Sequence, residues 1–251
     1  MSLEKSVVFI GAHPDDAEIF VAGTLALLGR QGWRITIATA TAGGLGGLGT
    51  SVRRTIALRK KEAREAAAVL GAEYFCLDGP DGYLFDTRAL RIKAMDVMRR
   101  QRAGVVITHL PQDYHSDHRA TAAIAEAAVF LSALPLAPSK VKPLDQTPLF
   151  YHCATLAGTD PLGNLLQPPH FRVNIESVEE QKRRMLACHH SQIELMRFQQ
   201  KMDDFFGTMR EQDEAWGARA GCRVAEAYWQ HLGGGYQKTP LLQTELGQFL
   251  P

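Results

Sequence analysis

At 251 residues and 27.7 kDa, the chain is long enough to bury a substantial core as one large domain, or as one domain with an elaboration. Its 45% hydrophobic and 22% charged residues are ordinary for a soluble globular protein, and a formal charge of +1 gives no reason to expect nucleic acid or another polyanion as partner. No run approaches the ~20 apolar residues of a membrane helix, and the apolar stretch after Ser6 stops at Gly11, too short for a signal peptide. The four cysteines (Cys76, Cys153, Cys188, Cys222) lack any paired spacing for zinc or redox work and read as free thiols of a reducing cytoplasm. Taken in order, "SVVFIGA" is a β-branched run fit for a strand covered on both faces. "AEIFVAGTLALLGRQG" predicts one helix that stops at Gly32. "WRITIATAT" is a second strand, followed by a flexible glycine loop "GGLGGLG" at 43–49. A helix over 52–70 ends at Gly71. "YFCLD", "RALRIKAMDVMRRQRA", "GVVITHL" and "DHRATAAIAEAAVFLSAL" continue as strand, helix, strand and helix. The segment 135–169 is proline-rich and irregular, with one strand in "PLFYHCATL". Helical patterns dominate 176–232, and the tail from Gly233 reads as loose. The expected fold is therefore α/β: a Rossmann-like, doubly wound, mostly parallel sheet flanked by helices, with a C-terminal helical extension. With no internal repeat or low-complexity linker, a single domain over 1–251 is expected, its Rossmann-like part at 1–134 and the irregular segment and helical extension at 135–251.

In the common 3-2-1-4-5 strand order, strands one and four are neighbours where the order reverses, and ligands bind outside the carboxyl ends of strands there. "AHPDD" follows strand one. "THLPQDYHSDHRAT", with three histidines and two aspartates, follows strand four. The fold would thus bring two ligand-rich segments to one crevice. Catalytic zinc takes three His or carboxylate ligands and keeps a position for water. His13 and Asp16, three apart at a tight turn, and His118 at a helix start can supply them. Asp15 is then free to act as general base on the water, whose pKa zinc lowers to about 7. His115 can donate to the developing oxyanion or protonate the leaving group, and Asp117 can orient it.

Plainer readings compete. An aspartate after a strand is usually a helix N-cap, His109 at a strand end reads as structural, and "HSDH" alone is a weak motif. "HHSQ" (189–192) reads, on chemistry alone, as packing or surface. The glycine loop has no Walker lysine and no dinucleotide-binding context, so a mobile rim is the better reading. The coincidence of both segments at one crevice outweighs these readings.

"AHPDD" together with "DYHSDH" resembles the LmbE-like, or PIG-L type, zinc-dependent N-deacetylases. These act on N-acetylglucosaminyl-phosphatidylinositol, on mycothiol and bacillithiol precursors, on chitobiose and on glycopeptide antibiotics. "TAGGLGGLGT", "RKKEAREAAAVLG", "LDGPDGYL", "AVFLSALPL", "HHSQ" and "GCRVAEAY" look like segments of the bacterial bacillithiol-type branch, so the likeness extends over most of the chain. It implies one zinc per chain on His13, Asp16 and His118, Asp15 as base, and His115 on the oxyanion with Asp117 behind it. It also implies that Arg59 and Asp81 grip the substrate's sugar, and it marks His189 as the family's "H-x-S-Q" histidine. Two positions depart from that branch: Tyr114 stands where it tends to have arginine, and Val224 stands where it has a tyrosine thought to assist the oxyanion.

The expected activity is removal of the acetyl group from an N-acetylglucosamine-type sugar or conjugate. A metal-dependent hydratase or a deacylase of a non-sugar on the same fold is the alternative, and a non-catalytic nucleotide-binding module would leave the His/Asp cluster unexplained. The aromatic stretch "ELMRFQQKMDDFFGTMREQDEAW", with Phe198, Phe205, Phe206 and Trp216, exceeds what a covered sheet needs. With the hexamers common among the resembled branch, it predicts a homo-oligomer, most simply a hexamer.

Overall fold

A computed structural model describes residues 3–251. The strands are β1 (Ser6–Gly11), β2 (Arg34–Thr41), β3 (Glu73–Gly79), β4 (Val105–Thr108), β5 (Leu149–Cys153), β6 (Phe171–Asn174) and β7 (Ala225–Gln230). They form one sheet in the order β3-β2-β1-β4-β5-β7-β6, parallel from β3 to β5, with β7 antiparallel to both β5 and β6. The expected 3-2-1-4-5 order holds, and β1 and β4 are neighbours. β1 is buried along its whole length because both faces are covered. Val7 and Phe9 enter one apolar layer with Leu25, Leu28, Tyr151 and Tyr228. Val8 and Ile10, pointing the other way, enter a second with Met95, Met98, Ile124 and Phe150.

The helices are α1 (Asp16–Phe20), α2 (Ala22–Arg30), α3 (Val52–Ala68), α4 (Arg88–Arg100), α5 (Ser116–Ser132), α6 (Glu179–Leu186), α7 (His190–Gln200), α8 (Phe205–Ala218) and α9 (Leu241–Glu245). Three expectations need correction. The single helix expected after β1 is two, broken at Val21 (φ −142°, ψ −1°). The apolar period runs through the break, but Glu226 on distant β7 accepts hydrogen bonds from the amides of Gly23 and Thr24 at 2.9 and 2.8 Å, and so caps α2 from outside. Gly23 lets Ile175 pack against the same turn: a Cβ there would lie 2.6 Å from its side chain.

The stretch read as helical to 232 ends in β7 instead. "AEAYWQ" alternates, with Glu226, Tyr228 and Gln230 on one face and Ala225, Ala227 and Trp229 on the other, but both faces are buried, Tyr228 in the large apolar layer and the alanines and Trp229 in a cluster with Trp216. The tail is not loose either. Leu242 and Leu246 are fully buried, and the Glu245 carboxylate accepts from Lys5 Nζ (2.8 Å) and Trp33 Nε1 (3.2 Å).

The aromatic stretch is largely consumed inside the fold. Phe205 and Trp216 are buried and Phe206 is half-buried, while Phe198 remains 65% exposed. One buried ion cluster joins the C-terminal helices to the sheet: Lys182 Nζ lies 2.9 Å from both Asp213 Oδ1 and Glu226 Oε1. One cation faces two carboxylates, so burial and the neighbouring Glu226 push Asp213 up to about 7 against the pull of Lys182. Lys182→Met should remove the cation and leave both carboxylates buried, lowering stability by about 3–5 kcal/mol. A urea midpoint equal to that of the wild type would show the cluster to be dispensable.

Candidate active site

The turn from β1 into α1 carries the first half of the site. Asp15 has φ 111°, a conformation costly for any residue with a Cβ and frequent at functional sites. The twist lets Asp16 fold back on the turn. Its Oδ2 accepts from the amides of Ala12 and His13 at 2.7 and 2.8 Å and lies 3.0 Å from His109 Nε2. Gly11 makes room, since a Cβ there would meet Asp16 Cβ at 2.9 Å. With Oδ2 saturated, Oδ1 faces His118 Nε2 at 3.4 Å.

The end of β4 and the start of α5 supply the other half. His118 Nδ1 lies 2.9 Å from Asp113 Oδ1, which also accepts from the amide of His115. Burial alone would lower the His118 pKa, but the carboxylates of Asp16 and Asp113 outweigh it and raise it to about 10. His13 Nε2 lies 3.2 Å from Asp117 Oδ2 and 3.4 Å from Asp81 Oδ1, leaving Nδ1 on the side of Asp16, 3.8 Å from its Oδ2. His115 Nδ1 accepts from the amide of Asp117, so the neutral ring carries its proton on Nε2. Burial and the nearby His13 and His118 hold its pKa below the usual value.

These contacts sort the ring nitrogens. His13 and His118 each have one nitrogen held by a carboxylate and the other turned toward Asp16, the arrangement that fixes tautomer and orientation in metal-binding imidazoles. Three overlapping groups have donor atoms within 4.8 Å of one another: His13, His115 and His118; Asp16, His109 and His118; and His13, Asp81 and Asp117. The expected set of His13, Asp16 and His118 spans the first two. Two imidazoles and a carboxylate with a vacant side fit a catalytic divalent ion.

Asp15 stands beside this cluster. Burial pushes its pKa up, to about 6, against the pull of Arg59, whose Nη2 is 3.6 Å from Oδ1. Arg59 also donates to the carbonyls of Pro14 (2.7 Å) and Gly43 (3.2 Å). Asp81 accepts from the amide of Leu45 at 2.8 Å and so ties down the glycine loop. Both expected sugar-gripping residues line the cavity, and both also hold the chain around it.

One reading changes. The carboxylate of Asp117 does not reach for His115: it binds His13 and the amide of Gly82, and only its backbone N–H orients His115. The structural reading of His109 holds and becomes specific. It is fully buried, stacks on His118 with ring centroids 3.9 Å apart, and engages Asp16. Asp113, behind His118, was not singled out. Its only signal was its place in the polar run after strand four. His189, read on chemistry as packing or surface, is fully buried with Nε2 3.3 Å from Glu18 and its charge felt by Asp15.

The cluster floors a cavity of about 490 Å³, which Tyr114 and side chains from α7 and α8 also line. The family described as PIG-L, GlcNAc-PI de-N-acetylase, matches residues 8–129, from β1 to α5. The diacetylchitobiose deacetylase of Thermococcus kodakarensis is 30% identical over 200 residues, 75% of this chain and 70% of that protein. The chain belongs to the PIG-L family. A probable N-acetyl-alpha-D-glucosaminyl L-malate deacetylase 2 of Bacillus cereus is 27% identical, covering 85% of this chain and 93% of that protein. The N,N'-diacetylchitobiose deacetylase structure from Pyrococcus horikoshii superposes with a TM-score of 0.79 at 25% identity, over 94% of this chain and 87% of that one. Within this PIG-L chain, the matched segment contains every member of the His/Asp cluster, whereas α6, α7 and α8 lie beyond it.

If the carboxylate behind His118 sets the affinity of the cage, Asp113→Ala should weaken binding of a divalent ion by about 10–100-fold, and His118→Ala should abolish it. Competition against a chromogenic chelator measures both. Full ion content in His118→Ala would remove His118 from the ligand set.

Proposed function

We propose that this chain hydrolyses the N-acetyl amide of an N-acetylglucosamine-type sugar or conjugate, with one zinc ion held by His13, Asp16 and His118. The observation that carries the reading is Asp15: a buried carboxyl poised near neutrality, held in a strained turn beside the ligand cluster and open to the cavity. Held by His13, Asp16 and His118, zinc would supply Lewis acidity toward the amide carbonyl and the attacking water. Asp15 accepts the proton of the attacking water, and Arg59 keeps its carboxylate aimed while limiting its basicity. His115, protonated at Nε2, donates to the oxygen of the tetrahedral species, and the Asp117 amide holds that tautomer in place. The proton taken by Asp15 passes to the departing amine nitrogen, so one water and one amide yield acetate and a free amine. Arg59 and Asp81 frame the sugar on the side of the glycine loop.

Asp15→Asn keeps the shape and loses the basicity. It should retain one ion per chain while acetate release falls by about 10²–10⁴-fold. Near-normal turnover in an ion-replete variant would assign the base elsewhere.

The domain boundaries (1–251 as one unit), a cytoplasmic location and a homo-oligomer, most simply a hexamer, belong to the same proposal. All four cysteines are free thiols, and no described helix is long and apolar enough to cross a membrane. Exposed Leu45, Val52, Tyr83 and Phe85 leave apolar surface beside the cleft for a second copy. Light scattering at micromolar protein should give six times the 27.7 kDa chain mass. A monomer mass would overturn the assembly.

A further inference from the structure

The cavity has two unlike sides. One carries the chemistry: His13, Asp15, Asp16, His115 and His118. The other is apolar, made by Ile19 of α1, Leu195 and Met196 of α7, Met202 in the following turn, and Phe205 and Met209 of α8. The polar side chains accompanying that wall are Gln192 and Gln200, both uncharged.

Charge decides what such a cavity accepts. Its lining holds three carboxylates, Asp15, Asp16 and Asp81, against one guanidinium, Arg59. That guanidinium is buried and occupied by Asp15 and by the carbonyls of Pro14 and Gly43. Away from the ion site, a carboxylate on the substrate would find no unengaged cation among the lining residues, and desolvating it there is costly. Tyr114, also uncharged, lines the cavity as well.

The wall is held in place. The Ser191 amide and hydroxyl bind the Glu62 carboxylate at 2.9 and 2.5 Å, pinning the start of α7 to α3. A Cβ on Gly46 would lie 3.2 Å from Leu195, so α7 closes directly onto the glycine loop. Three methionines give the surface an adaptable, polarisable character suited to flexible apolar groups.

We propose that the wall of α7 and α8 is the aglycone subsite, and that the substrate is an amino sugar bearing an uncharged, apolar aglycone, alkyl or aryl, rather than a carboxylate. The assignment rests on the deacetylase reading above and narrows it. Apolar contact remote from the amide supplies binding energy that the reaction can use.

The test uses the ion-loaded full chain with four probes: N-acetylglucosamine, its octyl glycoside, its malate glycoside, and N-octanoylglucosamine. Acetate or octanoate release is measured, and binding of each intact probe is followed by calorimetry in Asp15→Asn. The octyl glycoside should exceed the free sugar by at least about tenfold in kcat/KM, with the malate glycoside below both. Leu195→Gln and Met196→Gln should each reduce the octyl-to-free ratio. No residue of α7 is fully buried and Leu195 belongs to no buried apolar cluster, so Leu195→Gln spares the fold, whereas Met196 also packs against Leu186, Phe205 and Met209. Malate glycoside turned over as well as the octyl glycoside, or a ratio unmoved in both variants, would overturn the subsite. Preference for N-octanoylglucosamine would overturn the aglycone assignment by placing the acyl group on the wall. If no probe releases acid, the deacetylase reading fails, and calorimetry still decides the wall: tighter binding of the octyl than of the malate glycoside sustains it, and the reverse order overturns it.

Discussion

The Oδ2 atom of Asp16 is where the site and the sheet meet. It takes two amide hydrogens from the turn that leaves β1 and faces a histidine ring from the end of β4. Those contacts hold the carboxylate in one orientation, and only then does Oδ1 point at His118. The turn pays for this with the left-handed backbone of Asp15, and the same twist sets Asp15 apart from its neighbour. Two adjacent aspartates thereby acquire opposite tasks. Asp16 is held ionised, with its pKa well below the usual value: burial pushes up, but His118 and His109 outweigh it. Asp15 has burial as its largest influence, which outweighs the pull of Arg59 and the smaller pulls of His189 and His13, so its pKa rises. Environment separates two side chains of the same chemistry.

Around this pair, support is arranged in chains of contact. Asp113 holds His118, Asp117 holds His13, the amide of Asp117 holds His115, and His109 holds Asp16. Gly82 in turn donates to Asp117, so the loop after β3 stabilises the residue that holds His13. The precision of the cage therefore depends on three separate strand ends meeting. That convergence exists only because β1 lies between β2 and β4.

The first five strands were legible because each is a compact apolar run bounded by glycine or polar residues, and the site was legible because its two halves follow strands that such a topology makes neighbours. What escaped has a common cause. The Glu226 carboxylate of β7 is buried by Lys182 and by the start of α2, partners that only the folded chain brings to it, so the cap of α2 is a carboxylate some two hundred residues away in sequence. The Asp117 carboxylate faces His13 rather than His115 for the same reason: the residue types were visible, but which atom faces which neighbour is decided by tertiary approach. Asp117 shows this most clearly, since its side chain and its amide serve different histidines.

The charge distribution explains why such a cage is built for a cation. Asp15, Asp16, Asp81, Asp113 and Asp117 converge on one small region, and Arg59 is the guanidinium beside them. Buried carboxylates without compensation are costly. Here the compensation is divided among hydrogen bonds from amides, the guanidinium, and the imidazoles, of which His118 is driven toward its charged form by the acids on either side. A divalent ion between His13, Asp16 and His118 would replace that proton with a stronger and better-placed charge, and ion binding is thereby coupled to proton release from the same ring. The apolar wall opposite sharpens the contrast. It lowers the local dielectric over the amide, strengthening each of these interactions, while offering nothing to a second anion. One half of the cavity is thus built to concentrate charge, and the other to exclude water and carboxylates from it.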